Sequence, residues 1–98
     1  MKTIIWSEEF YLDVAEIVKY LVDNWGLSTA DNFINEINEK SAILASYPDL
    51  GRPSKKAPAI RKIIISKNNW LYYKISDEAI IFARVISQKK NPLSNPFE

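Results

Sequence analysis

The residues of this sequence best suited to chemistry are cations that gather in its second half. The segment GRPSKKAPAIRK, residues 51–62, carries no negative charge and five positive ones: Arg52, Lys55, Lys56, Arg61 and Lys62. Two more cations, Arg84 and Lys89, follow in the runs IIFARVI and SQKKNP. Lysine and arginine bind phosphate and carboxylate groups, arginine with two parallel hydrogen bonds. The pattern therefore indicates an anion-binding surface.

The net charge of +1 conceals a separation of charge along the chain. Residues 1–50 hold three Lys or Arg against nine acids, and residues 51–98 hold ten against three, so the two halves carry −6 and +7. This asymmetry predicts a basic surface offered to an acidic partner, either phosphate or an acidic protein. The alternative is that the two halves neutralise each other by internal pairing.

The 98 residues include no cysteine and no histidine. Disulfides, thiolate nucleophiles and Cys-based zinc sites are thereby excluded, and so is the usual general base at neutral pH. Any catalysis must use Lys, Arg, Tyr, Ser or carboxylates, and we expect neither a metal nor another cofactor. Because no apolar run approaches the length of a membrane span, we expect a cytoplasmic protein that does not bind membranes.

Two helices are predicted in the first half. Ser7 has the chemistry of an N-cap, and an amphipathic stripe follows it until Gly26. A second helical stripe runs from a weak capping box, formed by Ser28 and Asp31, to Pro48. Because few residues separate the two stripes, we expect an antiparallel helix hairpin.

Strands are predicted at the start and in the second half. MKTIIW indicates a leading strand, and the runs IRKIIIS, WLYYKIS and AIIFARVIS indicate three strands joined by tight turns. The third run is the most apolar and is expected to lie centrally, whereas the basic segment is expected to be a surface loop. From about residue 89 the chain, with two prolines, should form an extended tail.

The predicted fold is α+β with the order β-α-α-β-β-β, in a single domain over residues 1–98. A helix hairpin covers one face of a small, mainly antiparallel sheet.

Four stretches in this order resemble the RelE/ParE superfamily of bacterial type II toxins. They are WSEEFYLDVAEIVKYLVDNWG, ADNFINEINEKSAILASYPDLGRP, IRKIIISKNNWLYYKI and ARVISQKKNP, which together cover nearly the whole chain. The resemblance implies a toxin that is held inactive by a cognate antitoxin, whose acidic and partly disordered segment wraps it. It leaves open a homodimer or a hetero-oligomer with the antitoxin.

The superfamily contains two mechanisms. RelE-like members cut mRNA in the ribosome with Lys, Arg and a late Tyr, or with Glu, His and Tyr, whereas ParE-like members poison DNA gyrase by binding. This chain has no His and no Tyr after Tyr73. The resemblance therefore implies a ParE-like toxin, with a ribosome-dependent mRNA endoribonuclease as the alternative and a non-toxic antitoxin-binding relative as a third. In a ribonuclease the catalytic candidates are Arg61, Arg84 and Lys89.

Strand alternation places one of Arg61 and Lys62 on the helix-covered face and the other outward, without deciding which. The resemblance implies that Arg61 lies in the concave functional face. In the pair Tyr72 and Tyr73, one ring should face the core and the other the open face. Core packing is the first expectation for either ring, but an open-face tyrosine beside Arg61 would stack a base or orient a phosphate.

Arg84 interrupts an apolar run and must find an anionic partner. It is either a phosphate or carboxylate clamp shared with Arg61, or one half of a structural ion pair with Asp13 or Glu16. Lys89 stands where many relatives carry Arg, and it keeps the charge without the two-pronged hydrogen bonding. The full set predicted to bind a target or an antitoxin is Arg52, Lys55, Lys56, Arg61, Lys62, Tyr73, Arg84 and Lys89.

Overall fold

The chain folds as two helices packed on one face of a five-stranded sheet. The computed structural model describes residues 1–98. The elements are β1 Thr3–Trp6, α1 Glu8–Trp25, α2 Leu27–Ser46, β2 Arg52–Pro53, β3 Ile60–Ile65, β4 Asn69–Ile75 and β5 Ala79–Ser87. The predicted fold class and element order are confirmed. The expectation of a plain loop is wrong for Arg52 and Pro53, which pair with β3 as an edge strand.

The strands are ordered β1-β5-β4-β3-β2 across the sheet. Only β1 and β5 run parallel, and the other three pairs are antiparallel as predicted. β5 is paired on both sides, which agrees with its apolar sequence, although the middle position belongs to β4. None of the helices combines the length and the apolarity that crossing a bilayer requires.

Ser7 begins α1 as predicted and also attaches the helix to the sheet. Its hydroxyl oxygen accepts from the Phe10 backbone N–H at 3.0 Å, and its O–H donates to the Ala83 carbonyl at 3.0 Å. One side chain thus satisfies a free amide of the helix and a carbonyl of β5.

The predicted capping box at the start of α2 is wrong. Gly26 alone separates the two helices, with a φ of +95° that favours glycine, and no side chain caps α2. Because the chain reverses at this single residue, Ser28 and Asp31 already lie inside the helix.

The core lies between the helices and the sheet. A β-bulge helps to fill it: the pairing of β5 with β4 shifts at Ala83, while Phe82 and Arg84 on either side are paired. The shift lets Phe82 and Val85 both enter the core although they are three residues apart. The core cluster consists of Phe10, Val14, Phe33, Ile37, Leu44, Ile65, Leu71, Tyr73, Ile80, Phe82 and Val85.

Tyr73 reaches through this core to the connection between α2 and β2. Its hydroxyl donates to the Pro48 carbonyl at 2.6 Å and accepts from the Gly51 N–H at 2.8 Å. A Cβ atom at position 51 would lie 2.6 Å from that hydroxyl and 2.8 Å from the Lys62 carbonyl. Glycine is therefore required for the backbone to approach the phenol this closely.

Gly51→Ala is expected to lower the free energy of unfolding by about 1–3 kcal/mol, because the methyl group overlaps Tyr73. Tyr73→Phe should cost about 1–3 kcal/mol, because two buried backbone groups lose their partner. The double variant should cost less than the sum, since the nearest clashing atom is then gone. Urea unfolding of the wild type and the three variants measures this coupling, and additive costs would contradict it.

Candidate functional site

The structure distributes the predicted binding residues over several places. Tyr73 is in the core, Arg61 lies at the α2–β2 connection, and Arg84 contacts α1. Lys89 is exposed just after β5. The other four lie on β2, on β3 or in the loop between them: Arg52, Lys55, Lys56 and Lys62.

The expectation of one tyrosine ring on an open face is wrong, because Tyr72 and Tyr73 are both fully buried. Tyr73 faces the helices. Tyr72 faces the other side of the sheet, which we call the second face, and there the C-terminal tail covers it. The Phe97 ring lies 4.7 Å from the Tyr72 ring between centroids, and the Asn95 amide donates to the Tyr72 hydroxyl at 3.1 Å. Burial raises the pKa of Tyr72 to about 12.

Arg61 pairs with Tyr73 and shares the helix-covered side of β3 with Ile63 and Ile65, which decides the question that strand alternation left open. Its guanidinium donates to the Gly51 carbonyl at 2.5 Å and to the Asp49 carbonyl at 3.3 Å. It also lies 3.7 Å from the Asp49 carboxylate. The apolar side chains fix the register of β3, and Lys62 is the cation that this register sends to the second face.

Arg84 forms the structural ion pair that was one of its two expected roles. Its Nε and Nη2 donate to the two carboxylate oxygens of Asp13 at 2.7 and 3.1 Å, and this hydrogen bonding raises the pKa of Arg84. Asp13 also accepts from the Val85 backbone N–H at 2.9 Å. The clamp shared with Arg61 is not formed, because both guanidinium groups are engaged elsewhere.

The second face carries a cation–aromatic cluster that the sequence did not reveal. Lys62 Nζ lies 4.4 Å from the centroid of the Trp70 ring, and Arg52 Cζ lies 5.0 Å from it. Two cations thus contact one indole ring, the exposed Arg52 and the buried Lys62.

Glu98 places a carboxylate against this cluster. Its Oε2 accepts from Lys62 Nζ and, at 3.3 Å, from the Tyr72 hydroxyl, while its Oε1 accepts from the Lys55 N–H at 3.2 Å. Burial alone raises the pKa of Glu98, but the hydrogen bonds and the charge of Lys62 outweigh it, so the pKa is lowered. We call the cavity of about 170 Å³ at this point the second-face pocket, lined by Lys55, Lys62, Trp70, Tyr72 and Glu98.

One sign of this contact is present in the sequence. Glu98 is the only acid in a tail of otherwise basic and neutral residues, and it follows an aromatic one. The tail is extended as predicted, apart from a 3-10 turn at Pro92–Ser94, but it packs on the sheet instead of ending in solvent.

Internal pairing neutralises only part of the charge separation. Of four salt bridges, two join the halves of the chain, Arg61 with Asp49 and Arg84 with Asp13. Seven cations of the second half are exposed and outside any salt bridge: Arg52, Lys55, Lys56, Lys67, Lys74, Lys89 and Lys90. The predicted basic surface is therefore present.

Lys89 belongs to a separate groove beside the helix hairpin. The cavity measures about 640 Å³ and is also lined by Tyr20, Trp25 and Glu36. Trp25 is 68% exposed on its rim. The chain has no group of three or more carboxylates placed to hold a metal ion.

Comparison with known proteins identifies the family. The model of the ParE toxin of the type II toxin-antitoxin system parDE matches residues 4–92, so the chain belongs to this family within the RelE/ParE superfamily. Its role is accordingly that of the toxin in a type II toxin–antitoxin system. No curated protein sequence matches the chain.

Solved structures share the fold. A chain of the chromosomal ParDE toxin–antitoxin system from P. aeruginosa is 17% identical, with 89% of this chain and 96% of that chain covered and a TM-score of 0.74. YafQ from E. coli is 19% identical, with 90% and 94% covered and a TM-score of 0.62. A chain of the E. coli DinJ-YafQ toxin-antitoxin complex is 16% identical, with 88% and 91% covered and a TM-score of 0.59. At these identities the likeness concerns the fold.

Asp13→Asn is expected to lower the free energy of unfolding by about 1–3 kcal/mol, because the Arg84 side chain, only 32% exposed, loses its counter-charge. Glu16→Gln, one turn further along the exposed face of α1, is the matched control and should change it by less than about 0.5 kcal/mol. Thermal unfolding of both variants measures the difference. Equal effects would show that the pair contributes nothing specific.

The lowered pKa of Glu98 means that its ionised form stabilises the fold. This contribution is complete above the unfolded pKa of about 4.3 and disappears as the pH falls through the lower folded-state value. Glu98→Gln should therefore be less stable than wild type at pH 7, and the gap should narrow at pH 3. Urea unfolding at both pH values tests this, with the exposed Glu78→Gln as control. A gap independent of pH would contradict the ion pair.

Proposed function

We propose that this toxin stops growth by binding a macromolecular target, with DNA gyrase as the candidate that a ParE-like toxin implies, and not by cutting RNA. We further propose that a cognate acidic antitoxin neutralises it. Membership of the ParE toxin family supports both parts. The observation that carries the choice of mechanism is the bidentate ion pair between Arg84 and Asp13.

An RNA-cleaving site needs cations with free donors for the charge that develops on the phosphate. Of the three candidates, Arg84 already uses two donors on Asp13, and Arg61 is held by the Gly51 and Asp49 carbonyls. Only Lys89 is free, and it lies in a separate groove. This arrangement favours a binding function over catalysis.

An antitoxin partner agrees with the surface charge. Seven exposed cations of the second half lack an internal counter-charge, and they complement an acidic segment. The names of two similar structures, a ParDE system and a DinJ-YafQ complex, describe toxin–antitoxin assemblies. We infer the same kind of partner for this chain.

A ribonuclease remains the second candidate because the same exposed cations suit a phosphate backbone. A short induction without antitoxin separates the two, with DNA synthesis, pulse-labelled protein synthesis and mRNA 5′ ends followed in one culture. Early arrest of DNA synthesis with intact mRNA, together with inhibition of purified gyrase, is the expected result. Early loss of translation with new mRNA ends would make the protein a ribonuclease. Antitoxin binding without growth arrest would make it a non-toxic relative.

Reversing charge at the end of β5 should weaken the toxin. In the double variant of Lys89→Glu and Lys90→Glu, the concentration that half-inhibits gyrase supercoiling should rise about tenfold, because two attractive charges become repulsive. Lys19→Glu combined with Lys40→Glu makes the same charge change on the helix hairpin and serves as control. If the two double variants were equally inhibitory, this part of the surface would not contact the target.

A further inference from the structure

Phe97 and Glu98 occupy the second face of the sheet as a bound peptide would. The Phe97 ring packs on Tyr72, and its backbone carbonyl accepts from the Lys56 N–H at 2.9 Å. The Glu98 carboxylate then reaches Lys62 and the Lys55 N–H. One aromatic ring, one backbone carbonyl and one carboxylate are thus each matched by a group of the sheet or of the loop before β3.

The receiving side requires an anion. Lys62 is fixed in β3, and its side chain is 9% exposed, so water cannot solvate the ammonium group fully. Trp70 covers one side of it, and Glu98 provides the counter-charge. With the tail in place, Glu98 is the one acid in a salt bridge with this ammonium group.

We propose that the Tyr72 ring, Lys62 and the backbone of Lys55 and Lys56, beside the second-face pocket, form a docking site for an aromatic–acidic pair of residues in a peptide, and that Phe97 and Glu98 occupy this site in cis. An acidic segment of a partner replaces them when it binds. The proposal rests on the proposed function in one respect only, since it takes that partner to be the antitoxin.

The contacts favour a peptide over a nucleic acid. The Lys56 N–H donates to the Phe97 main-chain carbonyl. The two oxygens of the Glu98 carboxylate accept from different donors, the Lys55 N–H and Lys62 Nζ. The bond to a main-chain carbonyl is typical of peptide recognition, whereas a phosphate backbone has no such group.

When the chain's own tail occupies the site, a second peptide binds only to the fraction of molecules whose site is empty. Its apparent affinity is reduced by that fraction. Emptying it should therefore raise the affinity for a peptide added in trans. The probe is a fluorescein-labelled peptide of the sequence NPLSNPFE, which copies residues 91–98. Its binding to the full chain is followed by fluorescence anisotropy, with folding of each variant checked by circular dichroism.

The full chain carrying Phe97→Ala and Glu98→Gln should bind the probe at least about tenfold more tightly than wild type, and Glu98→Gln alone should show a smaller gain. Glu78→Gln removes the same charge from the exposed turn before β5 and should change nothing. The peptide NPLSNPFQ should bind the double variant at least about tenfold more weakly than NPLSNPFE, because Lys62 lacks its counter-charge.

Equal probe affinity for wild type and the double variant, or no binding to either, would overturn the proposal. So would a double variant that gained affinity for a labelled ten-nucleotide RNA but not for the peptide, because the pocket would then be a phosphate site. None of these readouts depends on growth arrest or gyrase. A failed peptide exchange therefore leaves the proposed function standing, and a failed gyrase experiment leaves the docking site standing.

Discussion

The architecture depends on how the backbone groups at the outer edge of β5 find hydrogen-bond partners. β1 pairs with β5 only as far as Phe82, and beyond that point the outer edge of β5 meets α1 instead of a strand. Ser7 takes up the Ala83 carbonyl, and Asp13 takes up the Val85 N–H. Because unpaired backbone groups are costly in a partly buried position, these two side chains fix α1 against the sheet. The bulge at Ala83 lies at this transition, where the strand changes partner.

This constraint also decides what Arg84 does. Once the Val85 N–H holds Asp13 at the edge of β5 through Oδ2, both carboxylate oxygens are in place for the guanidinium, and the arginine becomes part of the scaffold. Arg61 is used similarly at the other end of the sheet, where it binds the connection that leads into β2. Both arginines that are candidates for catalysis are therefore engaged by contacts within the fold. The charge left for partners is carried by the seven exposed cations of the second half that lie outside any salt bridge.

The two faces of the sheet have different roles. The helix-covered face is apolar and closed, with Tyr73 as its main polar group, bonded to Pro48 and Gly51. The second face is covered only by the tail, through a few polar and aromatic contacts around Tyr72 and Lys62. Removing the tail from the sheet costs less free energy than removing a packed helix hairpin, because less apolar surface becomes exposed to water. The proposed docking site for a peptide accordingly lies on the second face.

The sequence by itself determined the two helices, every strand except β2, the order of these elements, the Ser7 cap and the basic surface, because periodicity, capping and charge are local properties. It offered Asp13 as a partner for Arg84 but did not decide between that pair and a clamp. The tertiary structure decided which of Arg61 and Lys62 faces the helices, that both central tyrosines are buried, and that Glu98 reaches Lys62 across the sheet. These depend on the register of β3, on the bulge in β5 and on the path of the tail. Each is fixed by contacts between residues distant in the chain, which no local pattern records.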